Sequence, residues 1–152
     1  MIPTFKKSGL LPAGIHTASW EELEERFATN RYRQKLFEGL KKGLKVLHDF
    51  GCHEVYIDGS FVTDKTNPGD IDVCYNNMYM DLAGLKKECP EFFDSIKGNY
   101  RQRKKFGCEF YAYNSFDTFI VDFFSFSRNG EAKGLVKLKT GEIINDQKRK
   151  TI

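Results

Sequence analysis

Between Arg31 and about Asp49, Leu36, Leu40, Leu44 and Leu47 recur on one helical stripe, while Arg33, Lys35, Lys41, Lys42 and Lys45 fall elsewhere on the cylinder. The stretch is predicted as an amphipathic helix with one face to bury. Gly39 and Gly43 interrupt it. Each costs up to about 1 kcal/mol relative to alanine within a helix, which points to close approach by another element such as a sheet. Gly51 ends the helix, and the apolar segments that follow are short and strand-like. Glu54 to Asp58 and Ile71 to Tyr75 read as buried strands around a turn or very short helix from Gly59 to Gly69. Met80 to Cys89 reads as a helix stopped by Pro90. Cys108 to Tyr113 and Thr118 to Phe126, separated by Asn114 and Ser115, are predicted to pair as a hairpin. Asn129-Gly130 marks a turn before a last strand, Leu135 to Leu138. Upstream, Ser19 and Glu22 have capping-box spacing for a short helix to about Phe27, and Asn30 caps the long one.

This order gives a small α/β or α+β domain. The 152 residues suit one domain, and 40% hydrophobic with 14% aromatic residues supplies a core and excludes overall disorder. Residues 1–15, with Pro3, Gly9, Pro12 and Gly14, are predicted as an irregular arm, residues 16–145 as the domain, and residues 146–152, with Lys148, Arg149 and Lys150, as a basic tail. No apolar run is long enough for a transmembrane helix, and the start lacks the layout of a secretory signal. Cys52, Cys74, Cys89 and Cys108 are widely spaced, without a CxxC pair. Reduced thiols, a cytoplasmic location and no membrane partner are therefore expected. The formal net charge of +3 is too mild to identify a nucleic-acid binder, and His16, His48 and His53 suggest no nucleophile–base pair.

Chemistry concentrates at Gly59-Ser60 and Asp70-Ile71-Asp72-Val73. On a strand, Asp70 and Asp72 project from one face, about 7 Å apart. Such a pair repels unless a cation lies between, and an oxygen-preferring ion, Mg²⁺ or Mn²⁺, suits it. A glycine–serine turn beside the pair offers backbone N–H groups and a hydroxyl to phosphate oxygens, so a nucleoside triphosphate is the expected ligand. Asp122, in the apolar run Thr118 to Phe124, is the best third acid, because an ionised carboxylate buried in a strand needs a partner or a metal. Glu109, Asp58 and Asp117 are weaker candidates. The plainer alternatives are an ordinary turn with an exposed acid pair, and a buried Asp122 bonded to a lysine or to backbone. Arg101, Arg103, Lys104 and Lys105, interleaved with Tyr100 and Phe106, can contact RNA or substrate phosphates, or form a solvated basic loop.

Gly59-Ser60, nine intervening residues, and Asp70-Ile71-Asp72-Val73 resemble the signature of the nucleotidyltransferase superfamily related to DNA polymerase beta, in particular its minimal single-domain members from toxin–antitoxin and phage-defence modules. The wider run from Leu11-Pro12-Ala13-Gly14-Ile15-His16 through Tyr56-Ile57-Asp58-Gly59-Ser60-Phe61-Val62-Thr63 resembles a family of small bacterial proteins with this core. The resemblance implies a mixed β-sheet flanked by helices, with Gly59 and Ser60 at the triphosphate, Asp70 and Asp72 on two Mg²⁺ ions, and Asp122 as third ligand or base. It implies transfer of a nucleotide from a nucleoside triphosphate to a hydroxyl of tRNA, another RNA or a partner protein, with a cognate toxin or antitoxin as a further partner. Two positions depart from the pattern. Asp58 precedes the Gly-Ser where an apolar residue is usual, and no arginine closely follows Ser60, leaving Lys65 as the candidate phosphate ligand. An inactive binding or antitoxin-like subunit and an RNA-binding module are the alternative functions.

Overall fold

The computed structural model describes residues 1–93 and 100–143 of the chain. Helix α1 (Trp20–Phe27) starts at a complete capping box: Ser19 Oγ accepts from the Glu22 N–H at 3.1 Å, and the Ser19 N–H donates to Glu22 Oε1 at 3.4 Å. The long helix α2 (Arg31–Asp49) starts at Asn30, whose Oδ1 accepts from the Arg33 N–H at 2.8 Å. Its buried face includes Phe37, Leu40, Leu44 and Leu47, with Leu36 partly buried beside them. A side chain at Gly39 would strike the Phe106 carbonyl oxygen, and one at Gly43 the Phe110 ring. The two glycines are therefore the points of close approach that their helix cost implied.

Five strands, β1 (Gly14–Thr17), β2 (Glu54–Asp58), β3 (Asp72–Asn76), β4 (Glu109–Tyr113) and β5 (Gly134–Lys139), form one sheet in the order β1-β5-β2-β3-β4. The β1–β5 and β3–β4 pairs are parallel, and the β5–β2 and β2–β3 pairs antiparallel. The fold is thus α+β, a mixed sheet flanked by helices. Side chains alternate between two cores. Val55, Ile57, Val73, Val136 and Leu138 join the α1 and α2 residues in the main core. Cys74 and Leu135 turn to the opposite face, where Tyr113 and Val121 complete a smaller cluster packed by Tyr56, Ile120 and Phe124.

Two expectations are corrected. The predicted irregular arm 1–15 ends in an edge strand, because Gly14–Thr17 pairs with β5, and Ile2 and Leu11 are buried in the main core. The predicted hairpin between residues 108–113 and 118–126 is also absent. β4 lies against β3, and Phe119–Phe123 is a helix, α5. Ile120, Val121 and Phe124 pack inward at helical spacing, whereas Phe119 and Phe123, which a strand would place on one face with Val121, are exposed. The reversal starts at Asn114, whose Oδ1 accepts from the Phe116 and Asp117 N–H groups at 2.8 and 3.0 Å.

Between β3 and β4 lie α3 (Leu82–Glu88), followed by Pro90, and α4 (Tyr100–Phe106), formed by the end of the basic stretch. Phe106, considered above as an aromatic for stacking on RNA, is instead buried in the main core. Gln102 is buried too, and its Oε1 accepts from the Phe110 N–H at 2.8 Å. Lys97, which opens the basic stretch that continues through Arg101, Arg103, Lys104 and Lys105, and the basic tail 146–152 lie outside the described residues. No helix among the described residues is long and apolar enough to cross a membrane.

The contact at Gly39 gives a test of the helix packing. Gly39→Ala raises helix propensity by up to about 1 kcal/mol, yet it forces α2 away from the Phe106 backbone. Overpacking of this kind costs about 1–3 kcal/mol. Urea denaturation should therefore show a lower midpoint for the variant, and a midpoint raised as propensity alone predicts would refute the contact.

Candidate functional site

The β2–β3 register places Asp58 opposite Asp72, and the β3–β4 register places Asp72 opposite Glu109. The three acids form one row across three strands and share the parity of the second sheet face. Like charges directly opposite in a sheet repel. Asp72 is only 7% exposed. Burial foremost, with the neighbouring carboxylates of Asp70, Asp58 and Glu109, pushes its carboxyl up to about 8, and Lys133 works in the opposite direction. Burial likewise pushes Asp58 up to about 6 against the pull of Lys133, whose ammonium lies 3.1 Å from Asp58 Oδ2. Glu109 accepts from Tyr111 Oη at 2.6 Å and pairs with Arg103 Nε at 3.5 Å.

Asp70 stands just before β3. Its Oδ1 accepts from both the Ser60 N–H, at 2.8 Å, and the Ser60 hydroxyl, at 2.6 Å. Gly59 has φ +89°, and a Cβ there would meet the Asp72 nitrogen at 3.0 Å and the Asp70 carbonyl oxygen at 3.1 Å. Only glycine lets β2 turn so close to the start of β3. The expected phosphate cradle is otherwise engaged. The Phe61 N–H donates to the Asp70 carbonyl and the Val62 N–H to the Gly59 carbonyl, so this turn holds Asp70 in place and its N–H groups are directed inward.

Arg33, assigned by sequence to the polar side of α2, is 3% exposed. Its guanidinium donates to the carbonyls of Phe27, Phe61, Thr63 and Lys65, which fixes the loop that follows Ser60. The signal was available, because Arg33 lies four residues before Phe37 and shares its stripe with Leu40, Leu44 and Leu47. Lys133 had no such signal, since its partner Asp58 is distant in sequence.

These elements surround an open cleft of about 1060 Å³. Asp70, Asp72 and Glu109 line it together with Gly59 and Ser60. Lys65, Arg103, Arg128 and Lys133 add positive charge, and Tyr111, Phe123, Phe124 and Phe126 form an aromatic side. Of the other basic candidates, Arg101 and Lys104 are exposed on α4, and Lys105 pairs with Glu91 at 3.4 Å. Asp122 is the principal correction. Because its segment is helical, it is exposed and hydrogen-bonded to Thr118 Oγ1 at 3.5 Å, and Glu109 stands where a third acid was expected. The all-oxygen donor set and the crowding of Asp72 suit a hard divalent cation, with Asp70 and Asp72 able to hold it. Among the described residues, no three His, Cys, Asp or Glu side chains are grouped to hold a metal.

Fold and site together define an α+β domain with an acid-floored, cation-edged cleft at one end of a mixed sheet. The chain belongs to a family of unknown function, DUF6932, whose model matches residues 3–139. No curated protein and no solved structure matches it.

Arg33→Lys keeps the charge but loses the fork that holds four carbonyls, and should destabilise the chain by about 2–3 kcal/mol in chemical denaturation; an unchanged midpoint would refute the clamp. For Asp72, the unfolded chain loses its proton near pH 4, whereas the folded chain keeps it to about pH 8. The Asp72 contribution to stability therefore falls as pH rises through that window. In thermal melts without added metal, Asp72→Asn should be more stable than wild type by several degrees at pH 8, with the difference shrinking toward pH 4. A difference independent of pH would contradict this account.

Proposed function

We propose that the protein is a magnesium- or manganese-dependent nucleotidyltransferase that moves a nucleoside monophosphate from a nucleoside triphosphate to a hydroxyl of tRNA, another RNA or a partner protein. The observation that carries this reading is that Asp70, Asp72 and Glu109 line the floor of a cleft edged by Lys65, Arg128 and Lys133, with Asp58 buried beneath them opposite Asp72. An anionic floor under a cationic edge favours a ligand that brings both a divalent cation and phosphates.

In the proposed mechanism, Asp70 and Asp72 hold the cation, and Ser60 fixes the orientation of Asp70 through Oδ1. When bound, the cation supplies charge neutralisation and alignment for an in-line displacement. Glu109, oriented by Tyr111 and Arg103, accepts the proton of the acceptor hydroxyl. The acceptor oxygen bonds to the α-phosphorus, the bond from that phosphorus to the bridging oxygen breaks, and pyrophosphate leaves with the electron pair. Lys65, Arg128 and Lys133 offset the charge of the departing phosphates. Asp58 keeps the Lys133 ammonium at the acid row, which gives the residue that departs from the superfamily pattern a positioning role.

The inward-bonded Gly59–Ser60 turn favours a second reading, a subunit that binds metal and nucleotide as a partner-binding or antitoxin-like component without turnover. Incubation with each labelled nucleoside triphosphate, Mg²⁺ and cell lysate separates the two readings. Wild type should release pyrophosphate and label an acceptor. Asp70→Ala and Asp72→Ala should reduce both by at least about a hundredfold, on the scale of losing an electrostatic catalytic group, whereas Asp122→Asn should retain them. Metal-dependent nucleotide binding without label transfer would support the second reading, and neither binding nor transfer would refute both.

A further inference from the structure

The aromatic side of the cleft has no role in metal or phosphate chemistry. Phe123 is 61% exposed and Phe126 55%, yet both line the same cleft as Asp70, Asp72 and Glu109. A chain of contacts connects them to the floor: Glu109 accepts from Tyr111 Oη, the Tyr111 ring lies 5.1 Å from Phe124, and Phe124 meets Phe123 edge-on at 5.4 Å. Phe126 is set by its bridge to Ala132, and the adjacent Lys133 N–H donates to the Ser125 carbonyl at 2.9 Å. The segment that delivers the Lys133 ammonium to Asp58 thus also carries an exposed ring to the cleft.

Exposed phenyl rings leave apolar surface in water, and a flat π-surface can cover them by stacking. A ligand whose phosphates lie at the acid and lysine end has to extend along the cleft, and at about 1060 Å³ there is room for a whole nucleotide. No asparagine, glutamine or histidine side chain lines the cleft among the described residues, so the amide groups that commonly read adenine edges are missing. Stacking depends on overlap area, which is larger for a purine than for a pyrimidine.

We propose that Phe123 and Phe126 form a nucleobase-stacking subsite that selects purine over pyrimidine nucleoside triphosphates by stacking area. The subsite rests on the nucleotide reading above and adds to it the class of base. Its test is calorimetric titration of the full chain with ATP, CTP and inorganic triphosphate, each with Mg²⁺, for wild type, Phe123→Ala, Phe126→Ala and Phe126→Trp. Inorganic triphosphate carries the phosphate and metal contacts without a base.

ATP should bind wild type at least about tenfold more tightly than inorganic triphosphate, with CTP between them. Each alanine variant should bring ATP toward the triphosphate value while leaving inorganic triphosphate unchanged, and Phe126→Trp should keep the ATP preference. Both rings are exposed, so folding, followed by thermal melts, should be unaffected. Equal affinity for ATP and inorganic triphosphate, or an unchanged ratio in both alanine variants, would overturn the stacking subsite while leaving the triphosphate site intact. If neither ATP nor inorganic triphosphate binds, the nucleotide reading falls and the subsite with it.

Discussion

Three carboxylates placed side by side on one sheet face repel, and much of this structure can be understood as the means by which Asp58, Asp72 and Glu109 are kept there. Each has its own compensation. Asp58 has the Lys133 ammonium, Glu109 has Tyr111 and Arg103, and Asp72, the most crowded, retains its proton well above the ordinary carboxylate range. A buried carboxylate without close cationic compensation is a costly feature for a fold that needs only stability. The cost makes sense if a cation and a phosphate ligand complete the site.

The walls around this row come from distant parts of the chain and depend on one another. Arg33 on α2 fixes the carbonyls of the loop after Ser60, and the Asp64 N–H of that loop donates to the Gly9 carbonyl at 3.0 Å. The N-terminal segment also reaches the opposite wall, where Lys6 pairs with Glu131 at 2.8 Å. From there the chain enters β5, whose partner β1 is the continuation of the same N-terminal segment. Residues that look like an appendage in sequence therefore tie the two sides of the cleft together. The α5 helix closes the remaining side, packing Val121 and Phe124 on the sheet while leaving Phe123 and Phe126 toward the cleft.

How much of this was legible varied with the range of the interaction. The capping box at Ser19, the cap at Asn30, the leucines of the α2 stripe and the β2 and β3 segments are local patterns, and all agree with the sequence reading apart from small shifts at their ends. The Gly59-Ser60 and Asp70-Asp72 motif was also legible, because a turn and two acids close in sequence lie close in space. The run around Asp122 was misread because its apolar residues satisfy both strand and helix periods, and the packing of Ile120, Val121 and Phe124 decided between them. Glu109 was rated below Asp122 because a single acid in an alternating strand gives no sign of its neighbour, and the parallel β3–β4 register supplied that neighbour. Arg33 shows a different failure, in which charge was taken as exposure although its spacing lies on the buried stripe.

The helices with strong caps and stripes, the strands on either side of the glycine turn, and the pairing of Asp70 with Asp72 beside that turn follow from residues close together in the chain. These depend on interactions within a few residues, where backbone periodicity and hydrogen bonding operate. Long-range pairing set Glu109 beside Asp72 and Lys133 against Asp58, and it left Asp122 exposed on a helix. Pairings such as Asp58 with Lys133 depend on strand order and register, which arise from how the whole sheet buries its two faces and which no local pattern encodes.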